Sequence, residues 1–376
     1  MNKILLVVVL VIGLVVGYLG AGVMSPDAPQ QAGEATTTAA TDAGDAAEAG
    51  AGSAATVRWK MASTFPGNLI ILGTIGKEFV ERIEEVSDGT IQVQFFEPGA
   101  LVPALEIFDA VSTGAVDAGW STPGYWAGKV PALQFFTAIP FGPLPGEAIA
   151  WLRYGGGNEL FAELYAAHNI HPVHCMMVSP EASGWFRTPI ESVEDLQGLK
   201  MRFFGLGAKV MEKVGVSTQL LAGGDIYPAL DLGTIDATEF AQPVIDFDLG
   251  FYQVAKHYYL PGWHQPTSFS EFIVNMDQWQ TLNQAQQAQI ETTCSESILN
   301  AYALAESLQP DALVQLEERG VTVHQWEPEF LEVFENAWNE VVAEEAAKDA
   351  DFARVWASLS EFREKYKTWG DRGYLP

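Results

Sequence analysis

Cysteine is almost missing from this chain: 376 residues carry Cys175 and Cys294 and no others. That excludes a disulfide framework and a four-cysteine metal cage, both of which need more sulfur. Cys175 sits in "VHCMMV", which reads as a buried strand, and Cys294 lies in a helical run. Buried free thiols are the expectation, with a single disulfide as the alternative. Basic residues are scarce as well, 20 Lys plus Arg against 48 Asp plus Glu, a formal charge of −28. Nucleic acid is excluded as a partner, because phosphate neutralisation needs a basic footprint. An acidic coat of this size favours solubility and suits a salty medium. It also repels anions at long range, so an anion site has to be local and cationic.

Catalytic signatures are lacking too. There is no Gly-x-Ser-x-Gly elbow, no His-Glu-x-x-His and no Gly-x-x-x-x-Gly-Lys-Ser/Thr loop. "YGGGNEL" has neither the spacing nor the preceding strand of a dinucleotide fingerprint. The six histidines show no zinc-like spacing.

What is present begins with an address. Residues 4–24 hold no charge, and as a helix they would extend about 31 Å, close to a bilayer core. An uncleaved membrane anchor is expected, with a cleaved signal peptide ending near "GYLGAG" as the alternative. Lys3 is followed by no basic residue until Arg58, which places the body outside the cytoplasm. Residues 25–55, rich in Ala, Gly, Thr and acids, read as a flexible tether.

The folded part starts near Thr56. "VRWKMAS" reads as a strand, a helix is expected over 69–87, and "TIQVQFF", a helix around "PALEIFDAVSTG" and the strand "AVDAGW" follow. Such α/β alternation implies parallel strands with helical crossovers. "AVSTGAVDAG" (110–119) then echoes in "ALDLGTIDAT" (229–238), each a helix, a glycine stop and a short strand. Two similar α/β lobes follow from that echo. From about residue 277 the pattern turns helical, and Trp338, Val341 and Val342 fit either a core or a dimer interface.

"LKMRFFGLG" (199–207) places Arg202 at the end of an apolar strand, where a charge is costly to bury. Either a protein carboxylate or a ligand has to neutralise it. In open α/β sheets ligands bind beyond the carboxyl ends of strands. Those ends here offer Tyr125 and Trp126, Glu181 and Trp185, Arg202, Glu239, and Trp263, His264 and Gln265. Singly, each has an ordinary structural reading, and His171, His174 and His264 are read as structural. Their coincidence at strand ends gives them functional weight.

"GWFRTPIESVEDLQGLKMRFFGLGAKVMEKVG", "GGDIYPALDLGTIDATEF", "YYLPGWHQP" and "DAVSTGAVDAGWSTPGYWAGK" together resemble the DctP-type substrate-binding proteins of tripartite ATP-independent periplasmic (TRAP) transporters, over about residues 57–365. The match points to the subgroup of 2-oxo acid and lactate binders. The resemblance implies a two-lobed periplasmic-binding fold with crossing strands, a long connecting helix and a helical C-terminal region. Lobe I would span 56–179 plus 268–305, and lobe II 180–267 plus 306–376. It further implies capture of a small organic monocarboxylate, delivered to membrane permease subunits driven by an ion gradient. Arg202 matches the arginine that grips the substrate carboxylate, Glu239 a cation ligand, and Phe240 a residue lending its backbone carbonyl. Glu181 stands where glutamine is usual, Phe240 where tryptophan is usual, and Gln265 where glutamate is common. Tyr125, Trp126 and Trp185 would wall the ligand. With Glu181, Glu239 and the substrate all ionised, calcium is expected over sodium. A homodimer through the C-terminal helices is a further expectation. The rival readings are a metal-dependent enzyme acting on small carboxylates and a tethered ligand sensor.

Overall fold

In the computed structural model, residues 55–178 and 180–374 are described. The expected anchor (4–24) and nearly all of the tether (25–55) lie outside them. Among the described residues no helix is long and apolar enough to cross a membrane.

Alternating burial in Val57–Ser63 (β1), with Trp59 and Met61 inward, seats it between two parallel neighbours, Ile91–Phe96 (β2) and Ala118–Ser121 (β3). Ile170–Val178 (β4) and Ser268–Asn275 (β10) complete this first sheet in the order β2-β1-β3-β10-β4, with β10 antiparallel to both neighbours. The second sheet comprises Gly184–Phe186 (β5), Lys200–Arg202 (β6), Ser217–Gln219 (β7), Ala237–Thr238 (β8), His257–Leu260 (β9) and Thr322–Gln325 (β11). Its order is β11-β9-β5-β8-β6-β7. The chain thus crosses between sheets after β4 and returns at β10.

The helices are Thr74–Val86 (α1), Ile107–Ser112 (α2), Pro145–Tyr154 (α3), Gly157–Ala166 (α4), Gly205–Lys213 (α5), Gly223–Asp231 (α6), Pro243–Asp248 (α7), Met276–Gln280 (α8), Gln284–Glu318 (α9), Pro328–Lys348 (α10) and Ala350–Gly373 (α11). Helix α1 begins later than 69 because the chain first turns through Ile71, whose φ is 63°. The internal echo is structural. Helices α2 and α6 each end before a left-handed glycine, Gly114 (φ 73°) and Gly233 (φ 71°), which leads into β3 and β8. In both copies the aspartate before the strand accepts a lysine backbone N–H, Asp117 from Lys60 at 2.8 Å and Asp236 from Lys200 at 3.0 Å.

Helix α9, 35 residues long, opens with a capping box between Asn283 and Gln286. It packs on β4 and α1 of the first sheet and on α7 and β11 of the second. Because α9 lies directly on β4, Cys175 and Cys294 come to a Cα separation of 4.1 Å and form a disulfide. The expected pair of free thiols is therefore corrected. Their 119-residue separation in sequence concealed the contact.

Helix α10 packs on α5, while α11 packs on α3, α4 and the turn at 131–136. Phe135 meets Phe352 at 4.4 Å between ring centres, and Trp151 Nε1 donates to Ser358 Oγ at 3.3 Å. The C-terminal helix thus sits against helices that flank the first sheet, as well as against α10. Trp338, Val341 and Val342 are buried within the chain. They are core.

Candidate functional site

Strands β6 and β8 run parallel, with Arg202 opposite Thr238, so both end at the same edge and present Arg202 and Glu239 together. Arg202 Nη1 donates to Glu239 Oε1 at 2.7 Å and to the Glu239 carbonyl at 2.7 Å, and Nε donates to the Leu221 carbonyl at 3.2 Å. The rings of Phe204 and Phe240 lie 5.9 and 5.3 Å from the guanidinium carbon. Arg202 is 1% exposed and Glu239 0%. Burial acts to raise the Glu239 carboxyl, but Arg202, His264 and the Phe204 N–H together hold it below its usual range. Of the two partners open to Arg202, a protein carboxylate already holds one of its nitrogens.

Glu181 enters from the segment between β4 and β5. Its backbone N–H donates to the Gln265 carbonyl at 3.2 Å, and its carbonyl accepts Gly262 N–H at 2.9 Å. A Cβ on Gly262 would meet that carbonyl oxygen at 2.3 Å, so glycine permits the approach. Burial, and then the neighbouring Glu239 charge, push the Glu181 carboxyl well above its usual range. Burial and the Glu239 charge thus favour the protonated form of Glu181, and a cation would have to offset them for both glutamates to be ionised.

At this site three buried side-chain oxygens lack a hydrogen-bond partner among the described residues: Glu181 Oε2, Glu239 Oε2 and Gln265 Oε1. Both imidazole nitrogens of His264 are likewise unbonded, and Nε2 stands 3.5 Å from Glu239 Oε2, an ion-pair approach too long for a good hydrogen bond. Ligand atoms of Glu181, Glu239 and His264 lie within 4.8 Å of one another. Orphaned buried oxygens are costly unless something satisfies them. This donor set fits a cation, and its carboxylate and amide oxygens suit a hard one.

Of these groups, Glu181 and Gln265 line a cavity of about 30 Å³, together with Arg202. Phe65, Leu72 and Tyr125 form its wall on the first sheet's side, and Arg202, Phe204 and Phe240 the opposite wall. The walls touch: Tyr125 meets Phe204 edge-on at 5.1 Å, and a Cβ on Gly124 would come within 2.3 Å of Phe204.

Trp126 and Trp185 are fully buried but do not line this cavity. Trp126 Nε1 donates to Glu271 Oε1 at 2.8 Å, and Trp185 Nε1 to Asp246 Oδ2 at 2.9 Å. They serve as anchors behind the walls, where their indole N–H groups satisfy buried carboxyls. Sequence reasoning missed His264 as a neighbour of Glu239, and it missed Asp246 and Glu271 altogether. The only signal for His264 was its place beside Gln265 after a strand.

The family model for bacterial extracellular solute-binding proteins, family 7 (DctP), matches residues 61–349. A monocarboxylate 2-oxoacid-binding periplasmic protein of Nostoc sp. is 37% identical over 315 residues, covering 83% of this chain and 86% of the relative. A TRAP transporter solute-binding protein of Bordetella bronchiseptica, solved with copurified calcium and picolinate, is 36% identical with a TM-score of 0.82, covering 84% of this chain and 94% of the other. A second, from Pseudoalteromonas atlantica with bound sodium and pyruvate, is 32% identical with a TM-score of 0.80, covering 84% and 96%. The geometry of a ligand cleft between two sheets and the match over most of the chain agree: this protein belongs to the DctP family of periplasmic solute-binding proteins of TRAP transporters, and it is a binding protein, not an enzyme.

Proposed function

We propose that the protein captures a small 2-oxo monocarboxylate of the pyruvate class together with a cation, and hands it to the membrane permease subunits of its transporter. One observation carries this reading. A single cavity joins the Arg202 guanidinium, the unsatisfied oxygens of Glu181 and Gln265 and apolar walls, with Glu239 bonded to that guanidinium. Arg202 holds the carboxylate through Nη2, the nitrogen that neither Glu239 nor the Leu221 carbonyl engages. Glu239, Glu181, Gln265 and the Phe240 carbonyl hold the cation, which also meets the ligand. Phe65, Leu72, Tyr125, Phe204 and Phe240 enclose the short apolar tail. The 2-oxoacid-binding name of the Nostoc relative and the pyruvate of the Pseudoalteromonas structure support the ligand class.

Charge balance favours calcium at and above neutral pH. Calcium plus Arg202 offset Glu181, Glu239 and the ligand when all three are ionised. Sodium plus Arg202 balance the same site only if Glu181 keeps its proton, which burial promotes. Glu181→Gln imitates that protonated state and moves the preference to sodium. The apolar run at 4–24 tethers the protein to the inner membrane. Any homodimer through the C-terminal helices uses their exposed end, where Trp369 and Tyr374 lie, since Trp338 is buried.

Titrating pyruvate into chelator-treated protein, with calcium or sodium restored at matched ionic strength, tests the reading. Tighter binding in calcium is expected, with the order reversed in Glu181→Gln. Equal affinity in both ions, or undiminished affinity with neither, contradicts the divalent assignment.

A further inference from the structure

Three segments of chain bring the polar groups of the cleft together: 181–185, 239–241 and 258–265. None is a regular element along its whole length, so something has to fix them relative to one another. Asp246, in α7, touches all three. Its Oδ2 accepts Trp185 Nε1 at 2.9 Å and Tyr258 O–H at 3.0 Å, and its Oδ1 accepts Ala241 N–H at 3.1 Å. Trp185 lies on β5 just past Glu181, and Tyr258 on β9 just before the turn that carries His264 and Gln265. Ala241 follows Phe240 directly, and its carbonyl accepts Ala182 N–H at 3.1 Å, joining the first segment to the second. The stacked rings of Trp185 and Tyr258, 4.1 Å apart, stiffen the same junction.

We propose that Asp246 is a positioning residue for the cation site, fixing the Glu181, Glu239–Phe240 and Gln265 segments from behind and adding a negative charge to the field at the ion. This rests on the cation reading above. Asp246 is fully buried, and the three hydrogen bonds to its carboxylate are all donated by groups other than the proposed cation ligands. Its charge is felt at the site, since Asp246 raises Glu181 and Glu239 in turn raises Asp246. Outer-shell partners of this kind are worth about 10- to 100-fold in metal affinity.

A carboxylate that only braces the fold and one that also contributes charge are separable by ion valence. The Coulomb energy of an ion scales with its charge, so losing one negative charge costs a divalent ion twice the free energy it costs a monovalent one. Calcium and sodium affinities of chelator-treated native protein and Asp246→Asn are measured by calorimetry at about pH 8, where an aspartate pushed up to about 7 by burial is largely ionised. Asp246→Asn is expected to lose about tenfold or more in calcium affinity, with sodium affinity falling by a clearly smaller factor, because only the charge contribution scales with ion valence. Tyr258→Phe and Trp185→Phe keep the charge and remove one brace each, so both ions should weaken by a similar factor. They also stand in if Asp246→Asn does not fold. Cation affinities in Asp246→Asn within about twofold of native, or equal losses for both ions, overturn the proposal. If Asp246→Asn does not fold, unchanged affinities in both ring variants overturn it. Native protein that binds neither ion contradicts the cation reading instead. The same variants are then scored on pyruvate affinity, and unchanged values overturn the positioning role.

Discussion

Arg202 and Glu239 end neighbouring parallel strands and form a buried ion pair, Nη1 to Oε1 at 2.7 Å, with side-chain exposures of 1% and 0%. Two charges taken out of water together are tolerable, whereas one left alone is not. The pair therefore has two duties. It gives the buried guanidinium a counter-charge inside the cleft, and it sets Glu239 with one oxygen committed and the other unbonded, 3.5 Å from His264 Nε2.

Glu239→Gln leaves that guanidinium without a counter-charge. A loss of about 3 kcal/mol in unfolding free energy is expected from urea denaturation. A change of less than about 1 kcal/mol would mean the pair is not buried as described.

The disulfide ties α9 to β4 across a separation of 119 residues. Replacing both cysteines by serine should cost about 2–4 kcal/mol, chiefly through a freer unfolded chain. Neither cysteine lines the cleft, so pyruvate affinity should be unchanged in the folded variant. Loss of binding with unchanged stability would contradict this separation of roles.

Glu271 is fully buried in β10, and desolvation pushes its carboxyl up to about 8 despite bonds from Tyr165 O–H and Trp126 Nε1. Its pKa is thus raised on folding, so the folded state binds a proton that the unfolded chain releases near the ordinary carboxyl range. The stability from this proton is complete below that range and is lost as pH rises through about 8. Glu271→Gln removes this dependence. The stability of the variant relative to native should climb by about 1.4 kcal/mol per pH unit between about pH 5 and 8. A flat difference would show that Glu271 does not titrate in that window.

Much of this molecule could be read before its structure. The α/β alternation and the echo of 110–119 in 229–238 are local patterns, and they reappear as α2-β3 and α6-β8 with the same aspartate brace. Arg202, Glu181, Glu239 and Gln265 stood out because charged or amide groups at strand ends are conspicuous, and the structure brings them to one cavity or its rim. Asp246 was invisible because an acid in "PVIDFDLG" looks like an ordinary exposed helix residue. Its burial depends on where α7 docks. Trp126 and Trp185 lay at the expected strand ends, yet their indoles turn away to satisfy buried carboxyls, which strand position alone does not reveal. The disulfide required knowing that α9 crosses β4.

Arg202 as the carboxylate grip is the centre of the proposed binding mode. Lysine at this position keeps a positive charge beside Glu239, so the fold should survive, but it cannot hold two oxygens in one plane. Calorimetric titration of pyruvate, with calcium present, into native protein and Arg202→Lys measures this directly. A clear affinity is expected for the native protein and a loss of about 30-fold or more, roughly 2 kcal/mol, for the variant. Affinity within about twofold of native in a folded Arg202→Lys protein would contradict that binding mode.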